Sequence, residues 1–155
     1  MPRHRCDMVG VWVVRHVAGT WQHLQLCRAP GGYAAGLWTC CRGKIEAGET
    51  AVDAAFRELR EETALTPDRL YRMGTLEQFY AELSDTVWSV PFFVAHVPAD
   101  AAVALNPEHT AFRWVADGDI DGLLAWPSEV PLLAELRRFH FVPHPARELL
   151  RVRER

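Results

Sequence analysis

Residues 43–65 read GKIEAGETAVDAAFRELREETAL. At roughly 100° per residue, Val52, Ala55, Phe56 and Leu59 fall on one apolar face of a helix that begins near Thr50. Thr50 with Asp53 resembles a capping box at its start, and Pro67 stops it. Glu58, Glu61 and Glu62 cluster on a separate, more solvent-facing arc of the same wheel. Carboxylates three and four residues apart repel one another, and the C-terminal end of a helix disfavours negative charge. Each effect costs only about 0.3–1 kcal/mol at an exposed site. Their coincidence breaks a local rule, which marks a candidate site rather than plain scaffold.

Outward from this helix the chain reads as mixed strands and helices. Residues 9–17 (VGVWVVRHV) are rich in β-branched and aromatic side chains, and residues 21–27 alternate as a hairpin partner would. A glycine-rich loop at 29–36 leads to a short strand at 37–41. Beyond the helix, strands are expected near 73–80, at 87–97 with Pro91 marking a bulge or edge, and at 111–115. Residues 122–126 read as a short helix or turn, and 131–141 as an amphipathic helix with proline in its first turn. The basic residues 146–155 form a tail or a terminal helix. This order predicts an α/β fold, a sheet packed between helices.

The 155 residues suffice for one domain with a full core, so 1–155 is read as a single domain. A composition of 49% hydrophobic and 24% charged residues is that of a globular protein. The net charge of −3 argues against broad binding to nucleic acid or to an anionic membrane. No apolar run reaches bilayer length, and the N-terminal apolar stretch is interrupted by Arg15 and His16, so the chain is read as cytoplasmic. Cys6, Cys27, Cys40 and Cys41 lack metal-ligand spacing and are expected to be reduced and mostly buried. In a strand, Cys40 and Cys41 would point to opposite faces.

Carboxylates on one rigid face are oxygen ligands suited to Mg²⁺ or Mn²⁺, and magnesium held this way completes its shell with waters and substrate phosphates. Gly43 and Gly48 let the preceding loop approach the same place closely. The residues alone therefore suggest metal-assisted phosphoryl chemistry.

The spacing Gly43, five residues, Glu49, seven residues, then Arg57-Glu58-Leu59-Arg60-Glu61-Glu62-Thr63-Ala64-Leu65 resembles the Nudix box, G-x5-E-x7-R-E-U-x-E-E-x-G-U, with U a bulky aliphatic residue. Ala64 stands where that family has glycine, at a helix C-terminus where a left-handed residue is common. The resemblance implies an α/β/α sandwich with a mixed sheet and hydrolysis of a nucleoside diphosphate linked to another moiety. By position, Glu58, Glu61, Glu62 and the Gly43 carbonyl would hold the metal, and Arg57 would orient Glu49 or Glu61 through an ion pair. The resemblance implies that the general base would be a box glutamate or one from a later loop.

Glu108-His109-Thr110-Ala111-Phe112-Arg113-Trp114 resembles the E-H-x-A-[YF]-[KR]-W segment of two Nudix groups, the dATP or dihydroneopterin triphosphate pyrophosphatases and the asymmetrical diadenosine tetraphosphate hydrolases. This implies Glu108 as a further ligand or base. The diadenosine group has W-x-P-P-K-G-H-V-E where residues 38–46 have Cys40-Cys41 in place of the two prolines. Residues 123–128 are more similar to the pyrophosphatase group's A-L-x-x-W-S-N. The expected activity is therefore Mg²⁺-dependent hydrolysis of a nucleoside or pterin triphosphate, with diadenosine tetraphosphate hydrolysis and a non-catalytic nucleotide-binding module as alternatives. Arg28, Arg42 and Lys44 are candidate phosphate contacts and Trp38 a candidate base contact. The chain is read as a monomer or a homodimer.

Overall fold

The computed structural model describes residues 1–153. Strands β1 (Arg3–Arg5), β2 (Met8–Val17) and β3 (Thr20–Arg28) open the chain. β2 and β3 form the expected hairpin, turning through Ala18 and Gly19, both at positive φ. In place of one strand at 37–41, β4 (Trp38–Thr39) pairs with β3 and β5 (Cys41–Lys44) pairs with β2. The partner changes at Cys40, and Cys40 and Cys41 join clusters on opposite faces of the sheet, as neighbours along an extended chain do.

Helix α1 (Ala51–Thr63) follows, with both halves of the Thr50–Asp53 capping box formed. Its C-cap Ala64 is left-handed, with φ 58° and ψ 13°. The region expected as one strand at 73–80 is two, β6 (Arg69–Arg72) and β7 (Glu77–Ala81), which belong to different sheets. Likewise 87–97 divides at Pro91 into β8 (Thr86–Val90) and β9 (Phe92–His96). Proline has no ladder donor, so the chain leaves one sheet and enters the other there. β10 (His109–Ala116) completes the set, antiparallel to β3.

Among the described residues these strands form two sheets. The larger runs β10-β3-β2-β9-β6, with β4 and β5 attached to β3 and β2. It is mixed: β9 lies parallel to β2, and the other pairings are antiparallel. The smaller, β1-β8-β7, includes the N-terminal strand that sequence patterning missed. α1 covers one face of the large sheet through Ala54, Ala55 and Leu59, against Val9, Val11, Leu24 and Leu26. The other face packs under helix α2 (Val130–Glu135) through Leu132 and Leu133, and under Leu136 just after it, against Trp12, Val14, Tyr71 and Phe92. A 3₁₀ turn from Pro127 precedes α2, so the helical run starts earlier than the expected Pro131, and a π-helical turn ends it at His140. Gly10 is required by packing: a Cβ there would lie 2.2 Å from the Phe92 ring.

The expected C-terminal tail docks as far as Val152. After a 3₁₀ turn (Pro145–Leu150), Arg151 bridges Tyr71, and the Val152 N–H donates to the Leu70 carbonyl at 2.9 Å. The free edge of β6 is thereby covered. Glu154 and Arg155 lie outside the described residues. Among the described residues no helix is long and apolar enough to cross a membrane.

Candidate active site

The loop between β5 and α1 folds back on the helix through Arg57. Its Nε donates to Glu49 Oε1 at 2.8 Å and its Nη2 to Glu49 Oε2 at 2.9 Å. Nη2 also donates to the Lys44 carbonyl at 2.8 Å, and Nη1 to Glu58 Oε1 at 2.7 Å and Glu61 Oε2 at 3.3 Å. One guanidinium therefore joins the loop to two helix carboxylates, a use of the planar fork that lysine cannot copy. Glu49 also accepts the Glu46 N–H at 3.0 Å. The Arg57 partner holds its carboxyl down at about 2.

The three helix glutamates do not share the exposed arc expected of them. Glu61 is exposed, whereas Glu58 and Glu62 are 8% and 1% accessible. The reason is strand β5: the polar arc of α1 that carries Glu58 and Glu62 faces this strand instead of water. A Cβ on Gly43 would fall 1.8 Å from Glu58 Cδ, so Glu58 occupies the space that the glycine leaves. Burial raises the Glu58 carboxyl, with Arg57 opposing. Burial pushes Glu62 up to about 8, with the Cys41 thiol opposing and the charges of Glu58 and Glu108 adding to the rise. Glu62 Oε2 has no hydrogen-bond partner among the described residues.

Glu108 stands in an exposed loop closed by its own N–H to Asn106 Oδ1 at 3.2 Å. The Ala29 N–H donates to its carbonyl at 2.8 Å, so β3 and the turn before β10 together set its place. Its charge acts on both Glu58 and Glu62. The charges of Glu61 and Glu108 thus act on Glu58, those of Glu58 and Glu108 on Glu62, and Gly43 packs against Glu58. Among the described residues no three His, Cys, Asp or Glu side chains stand close enough together to hold a metal ion. The chemistry of the donor set nevertheless fits a hard cation: the carboxylates are oxygen ligands, and one buried carboxylate oxygen lacks any partner.

Of the expected phosphate contacts, Arg42 is placed elsewhere. Its side chain is buried, pairing with Glu77 through both terminal nitrogens and with Glu129 Oε1 at 3.1 Å. Ser128 Oγ donates to Glu77 at 2.8 Å, and the Ala125 and Trp126 N–H groups donate to Glu129 at 2.9 and 3.2 Å. The guanidinium is engaged on the α2 side of the sheet, away from the helix glutamates, and is not free for a phosphate. Arg28 donates from Nε to the Tyr33 carbonyl at 2.7 Å, fastening the 29–36 loop. Lys44 is exposed at the end of β5. Trp38 lies under the Arg113 guanidinium at 4.2 Å. His109 is packed and 5% accessible, with neither ring nitrogen hydrogen-bonded among the described residues.

Sequence reasoning passed over Tyr33, Glu77 and Glu129. Tyr33 faces Trp126 in parallel, with centroids 6.2 Å apart and planes at 8°, and Tyr33 is largely exposed. The only sequence signal for Tyr33 was an aromatic residue amid the glycines of a loop. For the two glutamates there was none.

A family model described as the NUDIX domain matches residues 6–136. The chain belongs to the Nudix family. It is 38% identical over 87 residues to an octanoyltransferase of Myxococcus xanthus, covering 52% of this chain and 23% of that one. It is 34% identical over 83 residues to an asymmetrical bis(5'-nucleosyl)-tetraphosphatase of Sus scrofa, covering 50% and 54%. It is 33% identical over 116 residues to an oxidized purine nucleoside triphosphate hydrolase of Mus musculus, covering 71% and 72%. The chain thus spans under a quarter and about half of the first two relatives. Among solved structures, a C. elegans Ap4A hydrolase superposes with a TM-score of 0.72 at 24% identity, covering 86% of this chain and 96% of that one. The E. coli dihydroneopterin triphosphate pyrophosphohydrolase does so at 0.65 and 22%, covering 87% and 97%. At these identities the likeness establishes the fold alone.

Proposed function

We propose that this chain hydrolyses a pyrophosphate linkage in a nucleoside or pterin triphosphate, with Mg²⁺, or Mn²⁺ in its place, as the cofactor. The observation that carries the reading is the buried, unpartnered Glu62 Oε2, next to Glu58 in the space left by Gly43. Glu58, Glu61, Glu62, Glu108 and the Gly43 carbonyl would hold the ion. Bound there, the ion would neutralise charge developing on phosphate oxygens and acidify a water. Arg57 would keep Glu49, Glu58 and the loop carbonyl in register, and Glu58, Glu61 or Glu108 would accept the water's proton. Exposed Lys44 would meet the phosphate chain, with Arg28 and Trp38 bordering the substrate. Tyr33 and Trp126 offer parallel faces for a base, and such stacking contributes about 1–3 kcal/mol per base.

The nucleoside triphosphate reading is supported by the mouse relative, which is 33% identical over 71% of this chain. A second reading, diadenosine tetraphosphate hydrolysis, is supported by the pig relative over half of the chain. We further propose that residues 1–155 act as one domain, which the Val152–Leu70 bond supports. A reducing, cytoplasmic setting is supported by four free cysteines.

The test is a panel of nucleoside triphosphates, dihydroneopterin triphosphate and diadenosine tetraphosphate, with Mg²⁺ and Mn²⁺ and with product identification. Glu61→Gln and Glu62→Gln should abolish metal-dependent turnover while circular dichroism stays unchanged. Undiminished activity in both variants would overturn the assignment. Efficient release of AMP plus ATP from the dinucleotide would select the second reading. Tight nucleotide binding without turnover of any substrate would select a non-catalytic module.

A further inference from the structure

Gln25 is an amide buried in β3 between Leu24 and Leu26, 5% accessible, and both ends of its side chain are engaged. Its Oε1 accepts from Arg113 Nε at 2.9 Å, and its Nε2 donates to the Leu123 carbonyl at 3.0 Å. A guanidinium only donates and a carbonyl only accepts, so one orientation of the amide serves both. The Arg113 guanidinium lies in turn over the Trp38 ring at 4.2 Å. These contacts lead from β10 through β3 to the 3₁₀ turn Asp121–Leu123, which ends three residues before Trp126.

From that turn Leu124, Ala125 and Trp126 run outside any helix or strand. Two buried side chains hold this stretch: Gln25 at the Leu123 carbonyl, and Glu129 at the Ala125 and Trp126 N–H groups. Opposite, the Tyr33 carbonyl accepts from Arg28 Nε at 2.7 Å. The parallel rings of Tyr33 and Trp126 are therefore placed through their backbones before any ligand arrives. An aromatic face fixed in advance spares a ligand the ordering cost of binding.

We propose that Gln25 is a positioning residue for Trp126, its amide N–H fixing the turn that sets the indole against a substrate base. This rests on the base contact given above for Tyr33 and Trp126, and not on the metal. Without the donor the Leu123 carbonyl is released and Trp126 loses one of its two supports. The loss of one such hydrogen bond corresponds to about 2–10-fold in affinity. Gln25→Met keeps the shape and removes both bonds. Gln25→Glu keeps an acceptor for Arg113 and removes the donor to Leu123.

The experiment titrates the full chain by calorimetry with ATP, GTP, dihydroneopterin triphosphate and inorganic triphosphate, in EDTA so that no metal-dependent turnover intervenes. Thermal midpoints are recorded alongside. Every base has a face to stack, so wild type should bind one or more of the three base-carrying ligands more tightly than inorganic triphosphate. Gln25→Met and Gln25→Glu should each weaken those ligands about 2–10-fold and leave inorganic triphosphate unchanged. In a Trp126→Ala background neither Gln25 substitution should weaken them further, because the two residues act as one unit. Gln25→Glu carries the test if Gln25→Met does not fold. Wild-type affinity in Gln25→Glu, an equal loss for inorganic triphosphate, or the same loss in the Trp126→Ala background overturns the positioning role alone. Base-carrying ligands bound no more tightly than inorganic triphosphate by the wild type overturn the base contact and this inference with it, and turnover in the substrate panel judges the hydrolytic reading separately.

Discussion

Arg57 grips Glu49 with two nitrogens, Nε to Oε1 at 2.8 Å and Nη2 to Oε2 at 2.9 Å, across eight residues of chain. The pair closes the loop that carries Gly43 against the helix that carries Glu58, Glu61 and Glu62. Bidentate geometry makes it stiffer than an ordinary surface ion pair.

Arg57→Lys should therefore behave almost as Arg57→Ala. A point charge cannot serve Glu49, Glu58 and the Lys44 carbonyl at once. On the proposed function, kcat/KM falls about 10–100-fold in both variants while the fold is kept. Steady-state kinetics decides, and near wild-type activity in Arg57→Lys would show that the fork is dispensable.

Arg42 and Glu77 form a buried pair that is 12% and 1% accessible at the side chains. Breaking such a pair from one side costs about 3–5 kcal/mol, because the remaining charge is stranded. Arg42→Met leaves both Glu77 and Glu129 without their cation and should be destabilised by that amount in urea unfolding. Adding Glu77→Leu removes one of the two stranded carboxylates, so the double variant Arg42→Met/Glu77→Leu should recover part of the loss. A double variant no more stable than the single would argue that Glu129 and Ser128 carry the network instead.

Ala64 holds φ 58° at the end of α1, with its N–H donating to the Arg60 carbonyl at 2.9 Å. A left-handed alanine costs about 1–2 kcal/mol relative to an unstrained residue. Ala64→Gly should raise the thermal midpoint by about 2–4 °C for a gain of roughly 1 kcal/mol at this chain length. A lower midpoint would mean that the helix end tolerates alanine without strain.

His96 is packed among Trp21, Tyr71 and His140, and its Nε2 has no hydrogen bond among the described residues. Burial, with His140, Arg147 and Arg69 nearby, lowers its pKa to about 4. Between that value and the unfolded value near 6.5 the unfolded chain binds the extra proton. Stability contributed by neutral His96 is thus complete above pH 6.5 and lost as pH falls toward 4, by at most about 3 kcal/mol. Urea unfolding of wild type and His96→Leu across this window should give a shallower decline in the variant. Parallel curves would assign the acid sensitivity to other groups.

Much of this protein was legible in the residues themselves. The hairpin of β2 and β3, the capped start of α1, the left-handed Ala64 and the opposed directions of Cys40 and Cys41 are local facts. Each follows from turn chemistry or from the period of a helix or strand. The spacing from Gly43 to Leu65 also placed the glutamates and Arg57 in one neighbourhood. Periodicity states which residues share a side of an element; it does not state what that side will meet. Only the packed sheet decided that Glu58 and Glu62 face β5 rather than water. It also decided that Arg42 is held by partners 35 and 87 residues away, and that Tyr33 comes to lie opposite Trp126. It set the change of sheet at Pro91, where a missing donor allowed a break whose destination depended on β2. Contacts across such distances exist only once the core has closed, and no window of sequence contains both partners.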